Sequence, residues 1–278
     1  MKAPAQLAAL SLADDSGESS VAYPSLGFVR LLDAELGNGD YYGLYWPYGR
    51  EDREPVVVDT VHDEWGLEVA FSSVPIFVEW LRANDGERGE VEVEDRALVT
   101  TRFERARALQ RARPEAAIEQ LRSICDDFPE CSEHWYALAG QLRRVGDKSG
   151  AYAAAIRAFA SNWAFGAPPG GTLRMLQSAR GEVDDPVVTR SGELSLGYGG
   201  AKENSNYALL RECIDEYLAS ANPVLGLLLS QDYGTMMSKE TGAFQERHGF
   251  GLDAWAAEHT KLCTEHLGDS RRRVEETR

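Results

Sequence analysis

Hydrophobic positions between residues 39 and 81 change period twice. Tyr41, Tyr42, Tyr45 and Trp46 form an aromatic run that fits a pleated, half-buried surface. Residues 47–55 hold two prolines, Gly49 and five charges, a composition that ends a strand. Residues 56–58, three valines, read as a buried strand. Asp63, Glu64, Trp65 and Gly66 mark another turn, and residues 67–71 alternate apolar and polar as a further short strand. After Ser72 and Ser73 the period becomes helical, with Val74, Phe77, Val78 and Leu81 on one face and Pro75 in the first turn. Residues 28–32 add a strand ahead of the Gly37-Asn38-Gly39-Asp40 turn. The pattern predicts an antiparallel meander closed by one helix, with one sheet face under that helix and the other free for a partner.

Residues 84–94, mixed in Gly, Asn and alternating charge, read as a domain boundary. Beyond them strand periodicity stops. Trp135, Leu138, Ala139, Leu142, Gly146, Ala151, Ala155 and Ala158 stand at a spacing that resembles the tetratricopeptide repeat. One 34-residue period earlier, Ala117, Leu121, Ile124 and Pro129 fill the second helix of a preceding repeat. Its first helix, about residues 100–111, has no Trp, is crowded by Arg102, Arg105 and Arg107, and reads as an atypical cap. Trp135, Ala139 and Ala155 are expected to be buried where helices cross. Pro168-Pro169-Gly170-Gly171 ends the pattern, so two repeats are counted, with one short helix over 172–179. Residues 181–205 read as a long irregular connection. An amphipathic helix then begins at Tyr207, a second, apolar one runs from Asn222 through Leu229, a third covers 233–247, and a last one, 254–267, has Asp253 as its cap. The expected division is an α+β domain over 1–88, helical repeats over 95–180, and C-terminal helices over 181–278 that pack on the repeats.

Length and composition fit this picture: 278 residues, 43% hydrophobic and 9% aromatic, with no apolar run near the roughly 18 residues of a membrane helix. The first 20 residues, a possible short helix and a polar loop, turn acidic too soon for a secretory signal, which makes the cytoplasm the expected location. Cys125, Cys131, Cys213 and Cys263 are too scattered for a disulfide framework and read as reduced thiols. The formal charge of −16 repels phosphate backbones and anionic lipid, and Arg271–Arg273 is the one basic run. Neither nucleic acid nor membrane is expected as a partner; a cationic protein is.

Candidate chemistry is sparse. His62, Asp63 and Glu64 with Asp59 form a polar cluster, but neighbours on a strand point to opposite faces, so a charged turn is the simpler reading. His259, Cys263 and His266 share one face of the last helix at metal-ligand spacing, which a docked amphipathic helix also produces. Gly197, Gly199 and Gly200 before Lys202 lack the phosphate-loop pattern. No G-x-S-x-G motif occurs and the cysteines lack an activating context. No cofactor, metal site or catalytic residue is expected.

The segment Gly39-Asp40-Tyr41-Tyr42-Gly43-Leu44-Tyr45-Trp46, the charged turn after it, Glu54-Pro55-Val56-Val57-Val58-Asp59 and the closing helix together resemble the core of the SUKH superfamily, the Smi1/Knr4-like α+β domains. That resemblance implies a bacterial immunity or antitoxin-like protein, not an enzyme, which binds and neutralises a basic toxin domain. The candidate contact residues are Tyr42, Tyr45, Trp46, Glu51, Asp52, Glu54, Asp63 and Glu64, with Tyr45 and Trp46 on opposite faces of their strand. Two other readings stand beside it. One is an adaptor or chaperone holding a peptide in the repeat groove; the other is a metal-dependent enzyme using His259, Cys263 and His266.

Overall fold

The computed structural model describes residues 28–35, 40–61, 66–86, 89–198 and 205–268. The expectations for residues 1–20, for Gly37–Gly39 and for Gly199, Gly200 and Lys202 lie outside them. The N-terminal part is an antiparallel sheet of β1 (Phe28–Glu35), β2 (Tyr41–Tyr45), β3 (Val56–Val61) and β4 (Gly66–Phe71) in that order, followed by α1 (Val74–Ala83). The chain after α1 is helical: α2 (Val99–Leu109), α3 (Pro114–Asp127), α4 (Ser132–Arg144), α5 (Lys148–Phe159), a 3₁₀ turn (Trp163–Phe165), α6 (Gly171–Ser178), α7 (Pro186–Arg190), α8 (Asn206–Leu218), α9 (Pro223–Ser238), α10 (Gly242–Arg247) and α11 (Leu252–Leu267). The class is α+β followed by all-α, as the change of period predicts.

Both faces of the sheet are covered, which corrects the expectation of a free face. On one face Leu31, Tyr42, Leu44, Trp46, Val57 and Phe71 pack against Val74, Phe77, Trp80 and Leu81 of α1. Tyr42, Phe71, Phe77 and Trp80 meet there mostly edge-on or tilted, with ring centroids 5.3–6.1 Å apart. On the other face Phe28, Tyr45, Val58, Leu67 and Val69 join the same core as the helices. A register shift between Val57 and Val58 pairs Phe71 with Val57 but Val69 with Val58, and so delivers Phe71 to the α1 side and Val69 to the helical side. Gly43 is required where it stands, because a Cβ would run into the Phe28 ring.

From α2 to α6 each helix packs on the next. Ala139, Ala151 and Ala155 are wholly buried, which lets the helix axes approach closely. Trp135 departs from expectation. It is half-buried, its Nε1 donates to the Pro129 carbonyl at 2.8 Å, and the Arg157 guanidinium lies 5.3 Å from its ring centroid.

Three further differences have local causes. Within 181–205 the chain forms α7, because Asp185 accepts from the N–H groups of Val187 and Val188 and Pro186 suits the first helical position. The second C-terminal helix runs on as α9 to Ser238 and leaves α10 short. It is apolar nearly all round and buried along most of its length, so it carries no amphipathic signature. Gly234 lets the Trp255 ring of α11 lie directly on α9. Asp253 falls inside the first turn of α11, whose N-cap is Gly251.

Two outcomes follow from this packing. Ala155→Leu overpacks the α4–α5 crossing and costs about 1–3 kcal/mol, read as a lower midpoint in urea unfolding. His134, buried with its ring 4.6 Å from Phe103, has its pKa pushed down to about 4 by burial and, secondarily, by the Arg102 charge. The unfolded chain takes up this proton near 6.5 while the folded chain resists it. His134 therefore stabilises fully above pH 6.5 and loses that contribution as pH falls toward 4, by on the order of 3 kcal/mol. In His134→Leu, urea midpoints measured across this range decline less steeply than in the parent.

Candidate functional site

Glu130, in the turn between α3 and α4, has no exposed surface. Its carboxylate accepts hydrogen bonds from the Tyr45 hydroxyl and the Tyr48 backbone N–H, and from Asn162 Nδ2 at 3.1 Å. The same Asn162 Nδ2 donates to the Tyr45 oxygen at 2.9 Å, which closes a ring of bonds between β2 and the helical core. Tyr48 continues the chain of contacts. It stands 2% exposed between α9 and α11, where its hydroxyl donates to Gln231 Oε1 at 3.2 Å and lies 2.9 Å from His259 Nε2. The other ring nitrogen of His259 is 2.9 Å from Ser230 Oγ. Next to Gln231, Asp232 accepts from the Trp163 N–H at 2.8 Å. Burial pushes its carboxyl well up from the ordinary range, opposed by that N–H and reinforced by the charge of Glu130.

These bonds decide what the predicted site residues do. Tyr42, Tyr45 and Trp46 are core residues: Tyr42 belongs to the aromatic cluster under α1, Tyr45 to the Glu130 ring, and Trp46 donates from Nε1 to the Arg53 carbonyl at 3.1 Å. None of these three is placed to anchor a partner, because each is buried in one of the two cores that cover the sheet. Glu51 is turned inward at 8% exposure and accepts from the Gly49 N–H, whereas Asp52 and Glu54 are exposed. Asp63, Glu64 and His62 lie outside the described residues. His259 has both ring nitrogens engaged by protein, Cys263 is buried against Tyr48, Leu227 and Leu228, and His266 is half-buried. The structure thus uses this helix face for docking. Among the described residues no three His, Cys, Asp or Glu side chains are arranged to hold a metal ion.

The open surface lies elsewhere. A groove of about 660 Å³ runs between α3 and the α4–α5 turn. Its walls carry Glu115, Glu119, Asp126, Asp127 and Asp147 against one cation, Arg122. Asp127 is bound to Arg102 at 2.7 Å and Asp147 lies 3.8 Å from Arg122, while Glu115, Glu119 and Asp126 take part in no ion pair among the described residues. Ile118 and Leu142 form the apolar floor. At its edge is Val145, 43% exposed, which with Val91 makes up the exposed large hydrophobic side chains among the described residues. Its carboxylates come from α3, apart from Asp147 in the α4–α5 turn, and the groove was not among the sites expected from the sequence.

The YfbP N-terminal domain model matches residues 13–90 and the YfbP C-terminal domain model residues 197–275. The uncharacterized protein YfbP of Escherichia coli (strain K12) is 43% identical over 257 residues, 90% of this chain and 91% of that protein. The chain belongs to the YfbP family. These matches correct the resemblances to the SUKH superfamily and to the tetratricopeptide repeat, since the models that fit are those of the two YfbP domains. No solved structure matches. The meander and the small-residue crossings that prompted those resemblances are real, but any sheet under one helix and any close pair of helices produces them.

The YfbP matches also place the buried network. Tyr45 and Tyr48 fall in the N-terminal YfbP domain and Gln231, Asp232 and His259 in the C-terminal one, while Glu130 and Asn162 come from the helices between. Glu130 therefore ties all three segments, through Tyr48. Glu130→Ala leaves the Tyr45 hydroxyl, the Tyr48 N–H and the Asn162 amide without this acceptor, at a cost of roughly 3 kcal/mol or more, while Glu130→Gln retains one acceptor oxygen and costs less. Urea unfolding followed by tryptophan fluorescence measures both, and an unchanged midpoint in Glu130→Ala rejects the role given to this carboxylate.

Proposed function

We propose that this member of the YfbP family is a non-catalytic interaction protein that takes a basic segment of a partner protein in the groove between α3 and the α4–α5 turn. The observation that carries the reading is Val145, an exposed apolar side chain at the edge of a groove whose free charges are carboxylates. An apolar contact surrounded by carboxylates suits an amphipathic stretch rich in Lys and Arg, since apolar anchors supply affinity and charges steer the encounter. The net charge of −16 extends that attraction over the whole molecule. Neutralisation of a basic toxin domain is one form such binding takes. With the SUKH resemblance withdrawn, charge complementarity is what supports it. A metal-dependent reaction draws little from the site, because the histidine it needs most, His259, is held by Tyr48 and Ser230.

The test compares the parent with two variants, Val145→Arg and the triple change Glu115→Gln, Glu119→Gln and Asp126→Asn. Proteins captured from the native cell by the parent are identified and their binding is measured by surface plasmon resonance at two salt concentrations. Val145→Arg is expected to raise the dissociation rate. The triple variant is expected to slow association several-fold and to flatten its salt dependence, with the melting midpoint little changed. Capture and kinetics identical to the parent in both variants place the interface elsewhere and end this reading.

A further inference from the structure

Helices α2, α4 and α6 wall a second cavity, of about 430 Å³, with the opposite charge. In a chain of net charge −16, its charged lining is Arg107, Arg143 and Arg174 against the single carboxylate Glu133. Arg107 is bound to Glu104 at 3.0 Å. Arg143 and Arg174 take part in no ion pair among the described residues. Two exposed guanidinium groups, neither in an ion pair, line one concavity and suit an oxyanion. Phe103, Tyr136 and Met175 supply apolar wall beside them.

Two further observations point to a ligand here. Glu133, Tyr136, Gly140 and Arg143 follow one another along α4 at steps of three, four and three, and so lie on one face. Gly140 stands in the middle of that helix, where glycine is destabilising relative to alanine. A Cβ at Gly140 would meet nothing within 4 Å, so no contact inside the chain requires glycine there. The space above it belongs to the cavity. In addition, Gln141, which lines the cavity, has its buried Oε1 without a hydrogen-bond partner. The N-terminus of α6, which begins at the cavity-lining Gly171, has no side-chain cap on its N–H groups.

We propose that this cavity binds a small organic anion, a carboxylate or phosphate monoester on an apolar body, with Arg143 and Arg174 on the anion and the body against Phe103 and Tyr136 over Gly140. The volume lies in the range of small-molecule sites. The proposal is independent of the acidic groove: the ligand has the opposite charge and the walls are different helices, so either can fail alone.

The full-length protein is titrated with phenyl phosphate, benzoate and inorganic phosphate, read by calorimetry and by the shift in melting midpoint. Phenyl phosphate or benzoate is expected to bind saturably at millimolar concentration or below, and the tighter of the two identifies the head group. Inorganic phosphate is expected to bind at least about tenfold more weakly, since it leaves the apolar wall unfilled. Arg143→Gln with Arg174→Gln is expected to weaken binding at least about tenfold, the loss of charge-assisted bonds. Gly140→Leu fills the space without altering any charge; it is expected to abolish binding while the unliganded melting midpoint stays the same or rises. No saturable binding of either organic anion, binding unaltered in both variants, or inorganic phosphate binding as tightly as phenyl phosphate overturns the proposal.

Discussion

A carboxylate with no exposed surface must find its donors inside the protein, and the donors of Glu130 come from segments far apart in the chain. The Tyr45 hydroxyl is 85 residues away and the Tyr48 N–H 82. Removing an ionised carboxylate from water costs several kcal/mol, which only a well-formed set of bonds offsets. The arrangement therefore tolerates one placement of the sheet on the helices. With Glu130 satisfied, Tyr45 is fixed in the core, Tyr48 reaches the gap between α9 and α11, and His259 takes its place between Tyr48 and Ser230. Apolar contact around Phe128 and Phe165 adds burial to that geometry, with ring centroids 6.4 and 5.0 Å from Tyr45, respectively.

This interior explains why the surface, not the sheet, has to carry any binding role. An aromatic run such as Tyr42, Tyr45 and Trp46 is as useful in a core as at an interface, and here the core claims all of it. What stays outside is decided by the helical body. The acidic groove and the arginine-lined cavity differ in charge because α3 lines the first with carboxylates while α2, α4 and α6 each line the second with an arginine.

Much of the fold could be read from the chain, and the limits have physical causes. The change from period two to helical period after Phe71 marks the start of α1, the end of strand period marks the helical remainder, and the Ala139, Ala151 and Ala155 positions mark real close crossings. The second buried face of the sheet could not be read, because Val58, Leu67 and Val69 look the same under a helix as under solvent-facing alternation. The bulge at Val57 and Val58 has no sequence signature either. The extension of α9 beyond Leu229 escaped for the converse reason, since it has no polar face to set its period. Of the expected contact residues, only Asp52 and Glu54 are exposed among those described. Local pattern cannot report that Glu130, three residues beyond Asp127 in an acidic stretch, is the one turned inward.

The reach of Tyr48 to His259, 211 residues along the chain, has a consequence during synthesis. While the ribosome is still making the middle helices, the sheet already has α1 on one face but lacks the helices that cover Tyr45, Val58 and Leu67 on the other. Loop closure over such a span is slow, and a nascent sheet with one uncovered apolar face is open to the wrong partners until the helices that share its core emerge. The N-terminal YfbP domain thus shares one of its two cores with helices made after it, and α11 meets it through Tyr48.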